Sequence, residues 1–127
     1  MTNLSKRRQS ELVSFFSTIL YIVYATHVLA CTWIYIGDQE SCETHGNKES
    51  HCTPSWLYYD FGDYYFNNKG KASVYLFSLY YMFEVITTVG YGDYAGHTTN
   101  EFLFIMGVEF IGLIVFSFLM NGVSTVM

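Results

Sequence analysis

Charge is scarce in this sequence. Lysine, arginine, aspartate and glutamate together make up 13% of the 127 residues, whereas 51% are hydrophobic and 20% are aromatic. Charged residues account for roughly a quarter of an ordinary soluble domain. The length suits a single domain, and the scarcity of charge indicates that much of its surface faces lipid rather than water.

Positive charge is the rarer sign, with 6 Lys and Arg against 11 Asp and Glu and a net charge of −5. The sequence has no extended basic face, so a nucleic-acid partner is not expected. Lys6, Arg7 and Arg8 instead cluster just before an apolar run. That arrangement is typical of the cytoplasmic flank of a membrane helix.

The sequence also lacks the signals of several other classes of protein. Its first apolar run is too long for a signal peptide and is not followed by a small-residue cleavage site, and the chain has no repeats or low-complexity tracts. No nucleophile, base and orienting group would assemble in a soluble pocket. We therefore expect neither an enzyme nor a bound cofactor.

The first apolar run, residues 12–36, contains no Asp, Glu, Lys or Arg. About 20 apolar residues suffice to span a bilayer, so a transmembrane helix is predicted here. The basic cluster places its start inside the cell, after a cytoplasmic linker of residues 1–11. Trp33 and Tyr35 suit the aromatic belt at the outer surface.

Polar residues dominate the segment 37–71, which holds the single proline, Pro54. It is too polar for hydrocarbon and is predicted to be an extracellular turret with little regular structure. Cys42 and Cys52 lie in it, where a disulfide is chemically permitted. They are candidate disulfide partners within or between chains, and a loose solvated loop is the alternative; two nearby histidines match no zinc spacing.

A second apolar segment, residues 72–87, is short for a span, at roughly 24 Å of helix. It contains Glu84 and leads directly into a glycine-rich string, residues 88–93. A short apolar helix followed by irregular backbone is typical of a re-entrant segment buried in protein or lining a cavity. An outer loop of residues 94–99 then precedes the second spanning helix, residues 100–127.

Together these segments predict an all-α membrane protein. Two transmembrane helices flank a re-entrant pore helix and its loop, and both chain termini lie in the cytoplasm. The lipid bilayer is the expected surrounding. The plasma membrane is the expected location, and other membranes remain open.

The string Thr88-Val89-Gly90-Tyr91-Gly92 matches a known signature of potassium selectivity filters. A dehydrated potassium ion needs carbonyl and hydroxyl oxygens in place of its water shell, and glycine adopts the required positive φ at little steric cost. One chain supplies only one side of each oxygen ring. We therefore predict a homotetramer with cyclic symmetry, in which K⁺ is the only metal ion bound.

With this string between two spans, the sequence resembles the pore module of the potassium channel superfamily from about Leu12 onward. Residues 27–33, HVLACTW, and 36–40, IGDQE, are similar to the outer pore helix of the ether-a-go-go and cyclic-nucleotide-binding-domain branch. Residues 121–124, NGVS, are similar to the GNVS that closes the inner helix in that branch, with the first two residues exchanged.

The resemblance implies a passive, potassium-selective pore of a voltage-gated or cyclic-nucleotide-modulated channel. Within the branch, Thr88 and Val89 favour potassium selectivity over mixed cation conduction. Members usually carry a voltage sensor before the pore and a nucleotide-binding domain after it, so we expect the pore portion of a longer channel; a minimal two-helix channel is the alternative. A non-conducting structural or regulatory subunit of a membrane assembly is the second functional hypothesis.

Acidic groups at membrane depth are functional candidates. Glu84 lies four residues before the filter, where some bacterial potassium channels carry a glutamate that shares a proton with the aspartate after the filter, and Asp93 matches that aspartate. The pair is expected to brace the filter, with a water-bonded Glu84 as the alternative. Tyr80 and Tyr81 replace a tryptophan pair of the family and are expected to pack around Tyr91.

Two further features concern the spanning helices. Gly112 matches the hinge glycine of the family's inner helix, and close helix packing is the other role for a small residue. His27 and Glu109 lie about 14 Å and about 12 Å below the outer ends of their helices. Either a hydrogen bond joins them, or Glu109 is neutral and bonds to the re-entrant helix.

Overall fold

The computed structural model describes residues 2–40, 54–66 and 70–126, with side chains for 5–40, 54–62 and 70–124. The described part forms four helices, α1 Thr2–Gln39, α2 Trp56–Phe66, α3 Lys71–Ile86 and α4 Thr99–Val126. Within it, the stretches Ser5–Gln39 and Thr99–Ser124 are long and apolar enough to cross a membrane. The predicted disulfide between Cys42 and Cys52 lies outside the described residues.

Helix α1 begins earlier than the sequence analysis predicted. It starts at Thr2 rather than at residue 12, so most of the expected linker is helical. The segment contains no glycine or proline and is rich in lysine, arginine, glutamine and glutamate, which are good helix formers. The Ser10 hydroxyl donates to the Arg7 carbonyl at 2.8 Å and so bonds within the helix. The basic cluster therefore belongs to the same rigid rod as the membrane span.

Helix α2 contradicts the expectation of little regular structure in the turret. Ser55 precedes it, and the Ser55 hydroxyl accepts a hydrogen bond from the Tyr58 amide at 3.4 Å, as an N-cap residue does. Trp56 and Leu57 are buried at its start. A kink at Gly62, where φ is 40°, interrupts the helix. Burial of aromatic surface against the other helices stabilises α2, which the local polar composition could not reveal.

Trp33 lies at the centre of the core, where all four helices meet. Its ring stacks on Trp56 of α2 with centroids 5.2 Å apart and on Phe104 of α4 at 6.0 Å, and it packs against Tyr81 of α3 at 5.4 Å. Trp33 is 2% exposed, so its assignment to the outer aromatic belt is wrong, whereas Tyr35 is 63% exposed. Trp33 instead joins α2 to α3 and α4.

Small residues allow the helices to approach closely at two points. Gly37 of α1 lies under the Trp56 ring, and a Cβ atom there would collide with the indole. Gly112 of α4 lies against the end of α3, where an added Cβ would be 3.1 Å from the Ile86 Cα and 3.2 Å from the carbonyl oxygens of Val85 and Ile86. The atoms that an added Cβ at Gly112 would meet all belong to the α3 backbone, which cannot rotate away as a side chain can.

The two glycines of α4 provide a matched test of this packing. Gly112→Ala should lower the free energy of unfolding by about 1–3 kcal/mol, because the new methyl group overpacks the contact. Gly107→Ala should leave it unchanged or raise it by about 0.5–1 kcal/mol through helix propensity, since nothing lies within 4 Å of a Cβ at that position. Melting temperatures in detergent measure both variants. Equal effects would contradict the packing assignment.

Candidate functional site

The filter loop, which is the predicted filter of residues 88–93, follows the end of α3 at Ile86. The Thr87 amide donates to the Phe83 carbonyl at 3.0 Å, Thr88 to Val85 at 3.1 Å, and Val89 to Glu84 at 3.0 Å. These bonds occupy carbonyls of the last turn of α3, which a helix end otherwise leaves without backbone partners. The loop is thereby fixed to the helix up to its second residue.

The loop backbone alternates in a regular way. Thr88, Gly90 and Gly92 have φ angles of 59°, 56° and 77°, and the two residues between them lie outside the positive-φ region. Alternation of this kind lets successive carbonyls point to one side of the chain, unlike the opposed carbonyls of a strand. Thr88 is the one non-glycine residue with positive φ in the described part of the chain, and this conformation costs a β-branched residue roughly 1–2 kcal/mol.

The filter side chains are not enclosed by their own chain. Val89 is 51% exposed and Tyr91 is 73% exposed. One chain therefore presents the loop as an open ribbon whose side chains the rest of the chain leaves uncovered.

Behind the ribbon lie the carboxylates predicted to support it. The Tyr80 hydroxyl donates to Asp93 Oδ2 at 3.1 Å and so ties α3 to the residue after the filter. Glu84 is 3% exposed, and its Oε2 atom has no hydrogen-bond partner within the described residues. Asp93 and Tyr80 are the side chains that interact electrostatically with it. Tyr81 points the other way, onto Trp33, and makes no ring contact with Tyr91 within one chain.

Glu101 holds the outer side of the site, and the sequence analysis did not identify it. Its side chain is fully buried and accepts hydrogen bonds from three backbone amides. These are the amides of Trp56 at 3.1 Å, His97 at 2.7 Å and Thr98 at 3.1 Å. One carboxylate thus joins the start of α2, the loop after the filter and the start of α4.

A sequence signal for Glu101 does exist. Thr98 and Glu101 are three residues apart at the start of α4, and the Glu101 amide donates back to the Thr98 hydroxyl at 3.3 Å. This reciprocal pair is a capping box. Glu40, at the end of α1, accepts hydrogen bonds from the side chains of Thr98 and Asn100. The outer ends of α1 and α4 are therefore joined through the same turn.

Aromatic side chains complete the outer rim. The Tyr59 and His97 rings lie 4.2 Å apart, and Tyr94 packs against Phe77 at 5.6 Å. Burial raises the pKa of the Tyr94 phenol, and the nearby carboxylates of Asp60 and Asp93 raise it further. The rim is thus acidic around a neutral phenol.

The expected hydrogen bond between His27 and Glu109 is absent. His27 Nδ1 lies 2.7 Å from the Tyr75 hydroxyl of α3, and its Nε2 lies 3.9 Å from the Cys31 sulfur. The bond to Tyr75 joins α1 to α3. Glu109 instead lines a cavity of about 310 Å³ together with Thr88, Gly90 and two apolar residues.

Comparison with known proteins identifies the class of molecule that this site defines. The family model described as "Ion transport protein" matches residues 5–123. The chain therefore belongs to the ion transport protein family. It is an integral membrane transport protein rather than an enzyme, and its two apolar helices agree with that membership.

Its relatives are voltage-gated potassium channels. The chain is 33% identical over 115 residues to the voltage-gated delayed rectifier potassium channel KCNH1 of Rattus norvegicus, which aligns 80% of this chain with 12% of that protein. It is 29% identical to the voltage-gated inwardly rectifying potassium channel KCNH2 of Sus scrofa, with 87% of this chain and 10% of the relative covered. Identity to KCNH5 of Homo sapiens is 30%, with 79% and 11% covered. The chain thus spans about a tenth of the length of these relatives.

Glu101 offers a test of the outer junction. Glu101→Gln removes the charge and one acceptor oxygen from three buried amides, so the free energy of unfolding should fall by about 1–3 kcal/mol, and further in Glu101→Ala. Glu11→Gln removes the same charge from a half-buried position at the other end of the molecule and should have little effect. Thermal unfolding in detergent measures all three. An unchanged melting temperature in Glu101→Ala would refute the junction.

Proposed function

We propose that this chain forms one quarter of the potassium-selective pore of a voltage-gated channel and that four copies surround one conduction axis. The observation that carries the proposal is the filter ribbon, in which positive φ angles at Thr88, Gly90 and Gly92 alternate with ordinary backbone. Carbonyl and hydroxyl oxygens aligned along such a ribbon suit a dehydrated alkali cation.

The tetramer follows from the open side of the ribbon. A potassium ion needs oxygens all around it, and one chain supplies them from one side only. The exposure of Val89 and Tyr91 in the single chain, 51% and 73%, supports burial of these side chains against neighbouring subunits. A closed ring of identical chains supplies every missing oxygen with one kind of interface. K⁺ then binds as the permeant ion, and no resident cofactor is needed.

The position of α3 supports a re-entrant pore helix. Its 16 residues span roughly 24 Å, which is less than the hydrocarbon thickness of a bilayer. Its carbonyl end meets the filter, so the helix dipole directs partial negative charge toward the cation pathway. The basic cluster at the start of α1 supports a cytoplasmic location for that end by the positive-inside rule, and α4 would then return to the same side. The plasma membrane is the proposed location.

Glu84, Asp93 and Tyr80 form the proposed brace of the filter. A buried carboxyl oxygen without a partner is unfavourable for an ionised side chain. Glu84 therefore holds a proton that it shares with Asp93 as a coupled pair. The hydrogen bond from Tyr80 then holds the Asp93 carboxylate in place behind the filter. Loss of this support would let the ribbon change conformation and stop conduction.

Gly112 is the proposed hinge of the inner helix. It lies where α4 touches the end of α3, so a bend at this residue changes the angle of the lower part of α4 with the least backbone strain. The close packing at Gly112 and the hinge are compatible, because both require the absence of a side chain.

Two glycines with positive φ provide a matched test of the pore. Gly90→Ala should reduce K⁺ flux into proteoliposomes by about tenfold or more, because roughly 1–2 kcal/mol of backbone strain enters the filter of each chain. Gly62 also has positive φ, at 40°, with nothing within 4 Å of its Cβ position, but it lies in α2. Gly62→Ala should therefore strain α2 rather than the filter and leave the flux unchanged.

The same flux assay tests selectivity and the competing function. The parent chain should conduct K⁺ in strong preference to Na⁺. Tetramers that form correctly but pass no K⁺ would favour a non-conducting structural or regulatory subunit.

The brace is tested by the rate at which current decays during steady opening. Tyr80→Phe and Glu84→Gln keep the side-chain shape but remove a bond or a shared proton, so current should decay several-fold faster, as expected from about 1 kcal/mol per lost hydrogen bond. Tyr35→Phe, at an exposed position of α1, is the control. Decay rates equal to those of the parent in both variants would exclude the brace.

A further inference from the structure

A cysteine, a histidine and a tyrosine form a polar cluster at the edge of the contact between α1 and α3. His27 Nε2 lies 3.9 Å from the sulfur of Cys31, one turn further along α1, and His27 Nδ1 lies 2.7 Å from the Tyr75 hydroxyl of α3. The Tyr75 ring also packs edge-on against the imidazole, with ring centroids 5.8 Å apart. The cluster thus places a thiol, a base and a group that orients the base in sequence, which is the arrangement of an activated nucleophile.

One tautomer of His27 links these contacts into a proton path. With the proton on Nδ1, the ring donates to the Tyr75 hydroxyl, and Nε2 keeps a lone pair that faces the Cys31 thiol. A partner on one ring nitrogen fixes both the tautomer and the orientation of a histidine. Tyr75 is therefore a positioning residue for His27, whereas the thiol and the imidazole are the reacting groups.

The membrane makes the neighbouring base decisive for this thiol. Cys31 lies within the apolar run of residues 12–36, and both Cys31 and His27 are exposed on the single chain. A thiol must lose its proton to act as a nucleophile, and in water the solvent can accept that proton. Hydrocarbon offers no acceptor, and a free thiolate is unfavourable there. His27, within hydrogen-bonding reach, can accept the proton instead.

The same surroundings determine the class of reactant. Sulfur is soft and polarisable, so it reacts readily with an activated carbon–carbon double bond. The reactant must also be apolar, because it has to reach a side chain inside the bilayer. Alkenals, the α,β-unsaturated aldehydes that form when unsaturated acyl chains are oxidised, have both properties, whereas charged thiol reagents stay in the water.

We propose that Cys31 is a covalent modification site for lipid-derived alkenals, with His27 as the base. The sulfur forms a bond to the β-carbon of the alkenal while the thiol proton passes to His27 Nε2. The electron pair of the double bond moves toward the carbonyl group as an enolate, whose α-carbon then takes the proton back from the imidazolium. The product is a thioether aldehyde, no group leaves and no oxidant is consumed. The inference needs α1 in the membrane but does not depend on the proposed function.

Alkylation of the full chain in phosphatidylcholine vesicles tests the site. Nonenal, a medium-chain alkenal, should modify Cys31, and peptide mass spectrometry separates that adduct from adducts on Cys42 and Cys52. His27→Gln should slow adduct formation at Cys31 by about tenfold or more, because the general base is lost. Tyr75→Phe should slow it about fivefold, as expected for the loss of one orienting hydrogen bond.

Two controls separate base catalysis from access to the thiol. A small apolar diazirine inserts into nearby side chains without any proton transfer, so it should label the Cys31 peptide equally in the parent, in His27→Gln and in Tyr75→Phe. Val28→Cys combined with Cys31→Ser places a thiol at a position of α1 that is 44% exposed and has Tyr24 one turn before it. Adjacent helix residues do not face each other, so this thiol lacks the base and should react about tenfold slower than Cys31.

Three results would overturn the proposal. An adduct rate unchanged by His27→Gln would remove the base from the reaction. Equal rates at positions 28 and 31 would mean that exposure to lipid alone decides reactivity, and this comparison leaves the bond between His27 and Tyr75 intact. Absence of a Cys31 adduct in the parent chain would refute the site outright. Channel current enters none of these measurements, so a failure of the proposed function would leave them unaffected.

Discussion

A single buried carboxylate joins the backbone of three separate segments of this molecule. Glu101 takes hydrogen bonds from the backbone of α2, of the loop after the filter and of α4 itself. Buried amides must find partners, so the three segments can satisfy theirs together only when they meet at this side chain. The position of α2 against the other helices, and hence its stack on Trp33, depends on this meeting point.

The site contrasts two ways of burying acidic groups. Glu101 accepts hydrogen bonds from three backbone amides, which is a stable arrangement for a buried carboxyl group. Glu84, by contrast, is buried, and among the described residues its Oε2 atom has no hydrogen-bond partner. The Glu101 carboxylate therefore has a full set of hydrogen-bond donors, whereas the carboxyl oxygen without a donor lies directly behind the filter. Incomplete satisfaction of this kind is characteristic of functional sites rather than of structural ones.

Local patterns in the sequence predicted the parts of the fold that depend on local chemistry. Apolar runs indicated α1, α3 and α4, and the glycines at positions 90 and 92 have the positive φ that the sequence predicted for them. Features that depend on distant neighbours were missed. Helix α2 is stable because Trp56 packs on Trp33, 23 residues earlier, and His27 bonds to Tyr75, 48 residues later. The capping box could be predicted from the spacing of Thr98 and Glu101. The hydrogen bond from the distant Trp56 amide to Glu101 could not.

The contact at Gly112 has a mechanical consequence. No side chain separates the α4 backbone from the last carbonyls of α3, and the next residues along the chain are already the filter. Packed protein interiors have low compressibility. Because no flexible side chain lies between the two helices here, a displacement of α4 cannot be absorbed by a change of rotamer. A movement of α4 at Gly112 would therefore be transmitted directly to the end of α3 and to the loop that follows it.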